Sequence, residues 1–155
     1  MKKHIPNTIT LLNQFSGIVA CIFAYNSRFD LALLFVLIGA TLDFMDGAMA
    51  RLLRVSSPLG KELDSLADVI TFGLVPGMIA FRLLGPLAEV WEYMPYLGFL
   101  ITLFSTYRLG KFNIDERQTT SFIGLATPAN AIFWLGLAYG DQSLLSAVSP
   151  WFILV

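Results

Sequence analysis

Charge is scarce in this chain of 155 residues: Asp, Glu, Lys and Arg together make up only 14% of it. A soluble domain needs roughly a quarter of its residues charged to clothe its surface. With 56% hydrophobic residues and a mean hydropathy of +0.70, the chain is instead suited to lipid. Ten basic and eleven acidic residues leave a formal net charge of -1, which excludes the basic surplus that nucleic-acid binding needs. The single cysteine, Cys21, cannot form an intrachain disulfide and sits in an apolar run, where it reads as a small packing residue. The single histidine, His4, reads as interfacial, so neither residue supports a zinc centre or a Cys–His nucleophile.

Long apolar runs are what the sequence does have. They fall at 9–25, 31–49, 66–84, 93–107, 122–139 and 144–155. Five approach the ~20 residues needed to cross a bilayer core, some only with their flanks. The sixth is short and ends in Trp151, Phe152, Ile153, Leu154 and Val155, which leads us to expect a partial last helix. The polar start, through Pro6, is too short for a cleaved signal peptide, so the first run is expected to remain as a helix. No internal repeat or linker divides the chain, and one domain over 1–155 is expected, lacking part of its C-terminal end. If the runs alternate, Lys2, Lys3, Arg51, Arg54, Lys61, Arg108, Lys111 and Arg117 share one side, and Arg28 and Arg82 the other. The positive-inside rule then puts the N-terminus and the turn near Ser56 in the cytoplasm. Trp91, Trp134 and Trp151, with Tyr93, Tyr96 and Tyr139, suit interfacial belts, and Pro76, Gly77 and Pro128 suit helix bends.

Four acids sit where acids are expensive. Asp43 and Asp46 close the second run, and Asp64 and Asp68 open the third. An ionised Asp at a helix centre costs ~2.5 to 3.5 kcal/mol, so four deep and unpaired carboxylates cost on the order of 10 kcal/mol. Packing cannot offset that. Spacings of i, i+3 and i, i+4 place each pair on one helical face. A turn at Val55 and Ser56, with Ser56, Ser57 and Pro58 supplying an N-cap and a first-turn proline, makes an antiparallel hairpin in which all four acids meet at matching depth. Such a quartet needs counter-charge, and oxygen ligands without nearby His or Cys point to Mg²⁺, Mn²⁺ or Ca²⁺, with room for two ions. Pairing with Arg51, Arg54 and Lys61 is the competing explanation, and it leaves one acid over.

From Asp43 to Asp68 the chain reads DFMDGAMARLLRVSSPLGKELDSLAD. That string resembles, at all eight fixed positions, the DxxDGxxAR, eight residues, GxxxDxxxD signature of the CDP-alcohol phosphatidyltransferase family. The resemblance implies an all-α polytopic membrane fold of six transmembrane helices, commonly homodimeric, with the site on helices two and three. It implies that Asp43, Asp46, Asp64 and Asp68 are metal ligands for Mg²⁺ or Mn²⁺, and that Asp68 is also the general base. Gly47, Arg51, Ser57 and Gly60 match positions at the CDP-lipid, and Asn7 and Thr10 match the first-helix entry that approaches the nucleotide.

Three other stretches resemble the family's membrane-integral bacterial members that use serine as acceptor. These are Ser65 through Gly73 with Pro76, Arg108 through Asn113, and Phe122 through Pro128, where Ala126 stands in place of the usual proline. The reaction this implies is transfer of the phosphatidyl group from CDP-diacylglycerol to the hydroxyl of L-serine, releasing CMP. By charge and by resemblance, Arg108, Lys111 and Asn113 are the candidates for binding the serine carboxylate. Ser65 is expected to turn away from the acids, which favours direct attack over a covalent intermediate. The location implied is the bacterial inner membrane, with lipid and the two substrates as partners and no nucleic acid. Two alternatives stand beside this reading: another alcohol acceptor, such as glycerol 3-phosphate or inositol phosphate, and a divalent-cation transporter lined by the same acids.

Overall fold

The computed structural model describes residues 4–55, 57–114 and 127–139. Among these, every regular element is helical. Helix α1 spans His4–Tyr25, α2 Phe29–Leu53 and α3 Pro58–Asp68; a π-helical turn, Val69–Leu74, joins α3 to α4, Val75–Leu83. Two 3₁₀ segments, Gly85–Glu89 and Met94–Phe99, lead into α5, Leu100–Ile114, and α6 covers Thr127–Tyr139. Three helices are long and apolar enough to cross a bilayer: His4–Tyr25, Phe29–Leu53 and the continuous rod Pro58–Leu83. At 1.5 Å per residue their 22, 25 and 26 residues exceed the ~30 Å hydrocarbon core. The expected 144–155 segment, the first part of the fifth run, Lys2, Lys3, Ser56, Arg117, Ala126 and Trp151 lie outside the described residues.

The helices run longer than their apolar stretches. The third begins at Pro58, eight residues before its hydrophobic run, because Ser57 caps it by accepting from the Gly60 N–H at 3.0 Å while Pro58 presets the first turn. Asp64 and Asp68 therefore lie well inside a 26-residue span and not at its beginning. The fourth run is divided: Pro95 and Gly98 fall in the 3₁₀ segment, and only 100–114 is α-helical. Gly98 is needed there, since a Cβ would meet the backbone of Ala80 and Phe81.

Pro76 shapes the third rod. Proline has no N–H to give to the carbonyl of Phe72, four residues back, and just before it the Val75 N–H bonds Ile70 O, five residues back. The bend expected near Pro76 and Gly77 thus takes the form of a π turn, and Thr102 of α5 supports it by donating to Gly73 O at 3.0 Å.

Interior and exterior are inverted relative to a soluble protein. The buried cluster is built largely of small residues, Ala20, Ala24, Ala32, Ala131 and Ala138, around Val36, Phe72, Val75, Ile79 and Leu135. Large apolar side chains such as Phe15, Phe44, Leu103, Phe104 and Phe133 point outward, where lipid tails are as good a solvent as a core. Cys21 packs against the cluster as a space-filler. With that packing and the three spans, the protein is an all-α membrane protein.

Helices α2 and α3 make few close contacts with each other; α1 is the neighbour on which α2, α3 and the π turn all lie. The buried stripe of α1, with Pro6, Thr10, Asn13, Ser16, Gly17, Ala20 and Ala24 at helical spacing, makes this possible, because its side chains are short enough for close approach. Arg82 binds Ser27 Oγ, beside Arg28, at one end of the bundle, while Lys61 reaches Asn113 O at the other, where Arg51 and Arg54 also stand.

Candidate metal and nucleotide site

A left-handed corner ends α2. Arg54 adopts the left-handed conformation (φ 51°, ψ 42°), and the N–H groups of Arg54 and Val55 return to Arg51 O at 3.1 Å and Ala50 O at 3.0 Å. This Schellman-type closure satisfies the last carbonyls of α2, after which Ser57 starts α3.

Carboxylate oxygens of Asp43, Asp64 and Asp68 all lie within 4.8 Å of one another. None of the four acids makes an ion pair with Arg51, Arg54 or Lys61, so the competing explanation finds no support among the described residues. Asp68 Oδ1 is buried and has no hydrogen-bond partner. Three carboxylates converging in a poorly solvated place repel one another, and an orphaned oxygen forfeits its hydration. A hard divalent cation, which takes only oxygen ligands, remedies both defects at once, and the donor set fits it. Asp46 stands to one side of this trio. Its Oδ2 accepts a short, 2.5 Å hydrogen bond from Thr10 Oγ1, buried between α1 and α2. Pro6 O lies 3.0 Å from the same hydroxyl.

Beside Asp46 and Asp64 opens a cavity of about 250 Å³. Its walls are Pro6, Asn7 and Thr10 from α1, Asp46, Gly47 and Ala50 from α2, and Val55, Ser57, Gly60, Lys61 and Asp64 from the corner and α3. The N-terminal end of α3 adjoins this space through Ser57, Gly60 and Lys61, and the positive end of the helix dipole there favours phosphate oxygens. Gly60 is tight: a Cβ would stand 3.1 Å from Ser57 Oγ and 3.2 Å from Asn7 Oδ1. At Gly47 the nearest side chain is Arg51, whose guanidinium lies 3.6 Å from where a Cβ would be.

The acceptor candidates occupy a different region. Arg108, Lys111 and Asn113 do not line the cavity. Asn113 joins α5 to α3 instead: its Nδ2 donates to Ser65 Oγ at 2.7 Å, and its carbonyl accepts from Lys61 Nζ at 3.1 Å. Ser65 thus faces α5, and its hydroxyl donates to Lys61 O at 3.2 Å. Of the residues singled out by sequence, the structure gathers Asn7, Thr10, Asp46, Gly47, Ser57, Gly60 and Asp64 around the cavity and Asp43 and Asp68 next to it. Sequence reading assigned no part to Lys61 in the cavity wall, or to Asn13 and Thr71. The available signal for Asn13 was an amide in the middle of an apolar run.

Residues 3–155 match the family model described as CDP-alcohol phosphatidyltransferase. A Bacillus subtilis protein named CDP-diacylglycerol--serine O-phosphatidyltransferase is 34% identical over 152 residues, covering 94% of this chain and 81% of its own. Proteins of the same name from Saccharomyces cerevisiae and Helicobacter pylori are 37% and 36% identical, over 88% and 82% of this chain. Of these two the chain spans about half, 54% of the length in each case. No solved structure matches.

Proposed function

The chain belongs to the CDP-alcohol phosphatidyltransferase family, and on that premise we propose that it transfers the phosphatidyl group of CDP-diacylglycerol to the hydroxyl of L-serine, giving phosphatidylserine and CMP. The observation that carries the chemistry is the convergence of Asp43, Asp64 and Asp68 within 4.8 Å, beside a cavity lined by Asp46, Asp64 and Lys61. The serine acceptor is supported by the name shared by the three relatives. It is supported also by the modest basic equipment of α5, since an acceptor carrying its own phosphate calls for a denser cluster.

In this reading Asp43, Asp64 and Asp68 hold Mg²⁺ or Mn²⁺, and Asp46 completes the set for a second ion. The bound metal supplies charge neutralisation at the pyrophosphate oxygens and at the departing CMP. The chain's own residues do the rest. Asn7, Thr10, Ser57 and Gly60 shape the nucleotide end of the cavity, where a larger residue at 60 would intrude on Ser57 and Asn7. Gly47 leaves the α2 backbone open to the ligand, and Arg51, whose guanidinium lies over it, forks onto a phosphate oxygen. Arg108, Lys111 and Asn113 receive the serine carboxylate from the α5 side. Asp68 accepts the serine hydroxyl proton as that oxygen attacks the phosphorus next to the diacylglycerol, and the phosphoanhydride bond to CMP breaks.

The same reading places one domain in the bacterial inner membrane as a homodimer. The end carrying Arg51, Arg54 and Lys61 faces the cytoplasm, where serine and CMP are soluble. The deciding experiment offers purified protein CDP-diacylglycerol and Mn²⁺ or Mg²⁺ with L-serine, glycerol 3-phosphate or inositol phosphate in turn, and follows CMP. Release that depends on serine supports the assignment; release with another alcohol alone overturns the acceptor, and Mn²⁺ uptake into vesicles without CMP release overturns the enzyme.

A further inference from the structure

One buried polar pair takes no part in the chemistry above. Asn13 of α1 and Thr71 of the π turn are both 0% exposed, and Thr71 Oγ1 lies 2.9 Å from Asn13 Oδ1 and 3.2 Å from Asn13 O. The hydroxyls of Thr8, Thr41, Ser65 and Thr106 each bond the carbonyl four residues back in their own helix. Thr71 does not follow this local pattern and reaches across to another helix. Two glycines admit it: a Cβ on Gly17 would stand 2.8 Å from Thr71 Cα, and one on Gly39 would stand 2.8 Å from Thr71 Cγ2 and 3.0 Å from Asn13 Oδ1. Three membrane helices therefore meet at this hydroxyl.

The position of the junction gives it meaning. Gly39 lies four residues before Asp43 on α2, and Thr71 three residues after Asp68 on the third rod. At those spacings the junction sits about one helical turn from the acids on both elements. Because α2 and α3 do not pack closely on each other, the separation of Asp43 from Asp68 is governed by how each is fixed to α1. A π turn, whose hydrogen bonding differs from that of the helix on either side, begins immediately after Asp68 and makes the register there sensitive to whatever holds the turn. The bond also has a cost: Asn13 Nδ2 is buried without a partner, a penalty that an apolar residue of similar size would avoid.

We propose that Asn13 and Thr71 are positioning residues, whose hydrogen bond, seated between Gly17 and Gly39, sets the level at which the Asp43 and Asp68 carboxylates face one another across the metal site. This rests on the metal-binding reading of the acids and adds to it two residues outside the signature.

The test is Mn²⁺ binding to the purified full chain in detergent, read from the electron paramagnetic resonance signal of free Mn²⁺, with no lipid substrate or acceptor present. Thr71→Val keeps the shape and removes the hydroxyl; it should bind Mn²⁺ about tenfold more weakly, the equivalent of ~1.4 kcal/mol. Thr71→Ser keeps the hydroxyl and should bind close to wild type. Gly39→Ala adds one methyl group against Thr71 and Asn13 without deleting a polar atom, and should weaken binding in the same direction even if the valine variant does not fold. Wild-type affinity in folded Thr71→Val or in Gly39→Ala, or equal weakening by valine and serine, overturns the positioning role. A wild-type protein that binds no Mn²⁺ overturns the metal reading itself, and this proposal with it.

Discussion

Thr10 of α1 and Asp46 of α2, 36 residues apart in sequence, share a short hydrogen bond in a buried place at the edge of the cavity. The hydroxyl holds one oxygen of Asp46 toward α1. Thr10→Val preserves the β-branched shape while removing the donor, and so leaves a buried carboxylate oxygen unsatisfied at a cost of about 1–3 kcal/mol. We expect kcat/KM for CDP-diacylglycerol to fall by about tenfold or more. Steady-state assays of CMP release check this, and Thr10→Ser, which retains the hydroxyl, should recover most of the loss.

Asp68 has a buried oxygen with no partner in the protein. Asp68→Asn keeps the volume and removes both the negative charge and the capacity to take a proton. Turnover should fall by about 10²-fold or more, the scale of a lost general base. CDP-diacylglycerol binding, followed by protection against thermal unfolding, should be largely retained because the cavity wall is formed by other residues. An active Asn variant removes Asp68 from the role of base.

The acids were legible because a carboxylate in an apolar run has few inexpensive explanations, and the i, i+3 and i, i+4 spacings left little choice of face. The start of the third helix was legible too: Gly60, Lys61 and Glu62 look like a loop by hydropathy, but Ser57 and Pro58 mark a helix beginning before them, and the structure has it there. The central place of α1 was hidden: its contact stripe of Thr10, Asn13, Gly17 and Ala20 is defined by small size and not by hydrophobicity. The π turn was marked in sequence only by Pro76, since a proline announces a missing hydrogen bond without saying how the backbone will absorb it.

Gly98 offers a test of the fold that is independent of the chemistry. Its Cα lies against the backbone of Ala80 and Phe81, and neither can swing aside as a side chain does. Gly98→Ala should destabilise the protein by about 1–3 kcal/mol, the usual cost of overpacking. Thermal unfolding in detergent should show a lower midpoint. Gly110→Ala, where a Cβ meets nothing within 4 Å, is the matched control and should leave the midpoint at or above that of wild type.

The acceptor side is separable from the nucleotide side because α5 touches the cavity only through its neighbours. Asn113 holds Ser65 and Lys61, and Lys61 in turn lines the cavity, so a change in Asn113 would disturb both substrates. Arg108 lies further along α5 and does not line the cavity, and it is the better probe. Arg108→Ala should raise the KM for serine far more than the KM for CDP-diacylglycerol, because an alanine there deletes a cation for the amino-acid carboxylate while leaving the α1, α2 and α3 walls in place. Asn113→Ala should raise both. The two variants, each titrated against both substrates by CMP release, distinguish a serine pocket on α5 from a general role of its basic residues in membrane topology; equal effects of Arg108→Ala on the two KM values would remove Arg108 from the acceptor site.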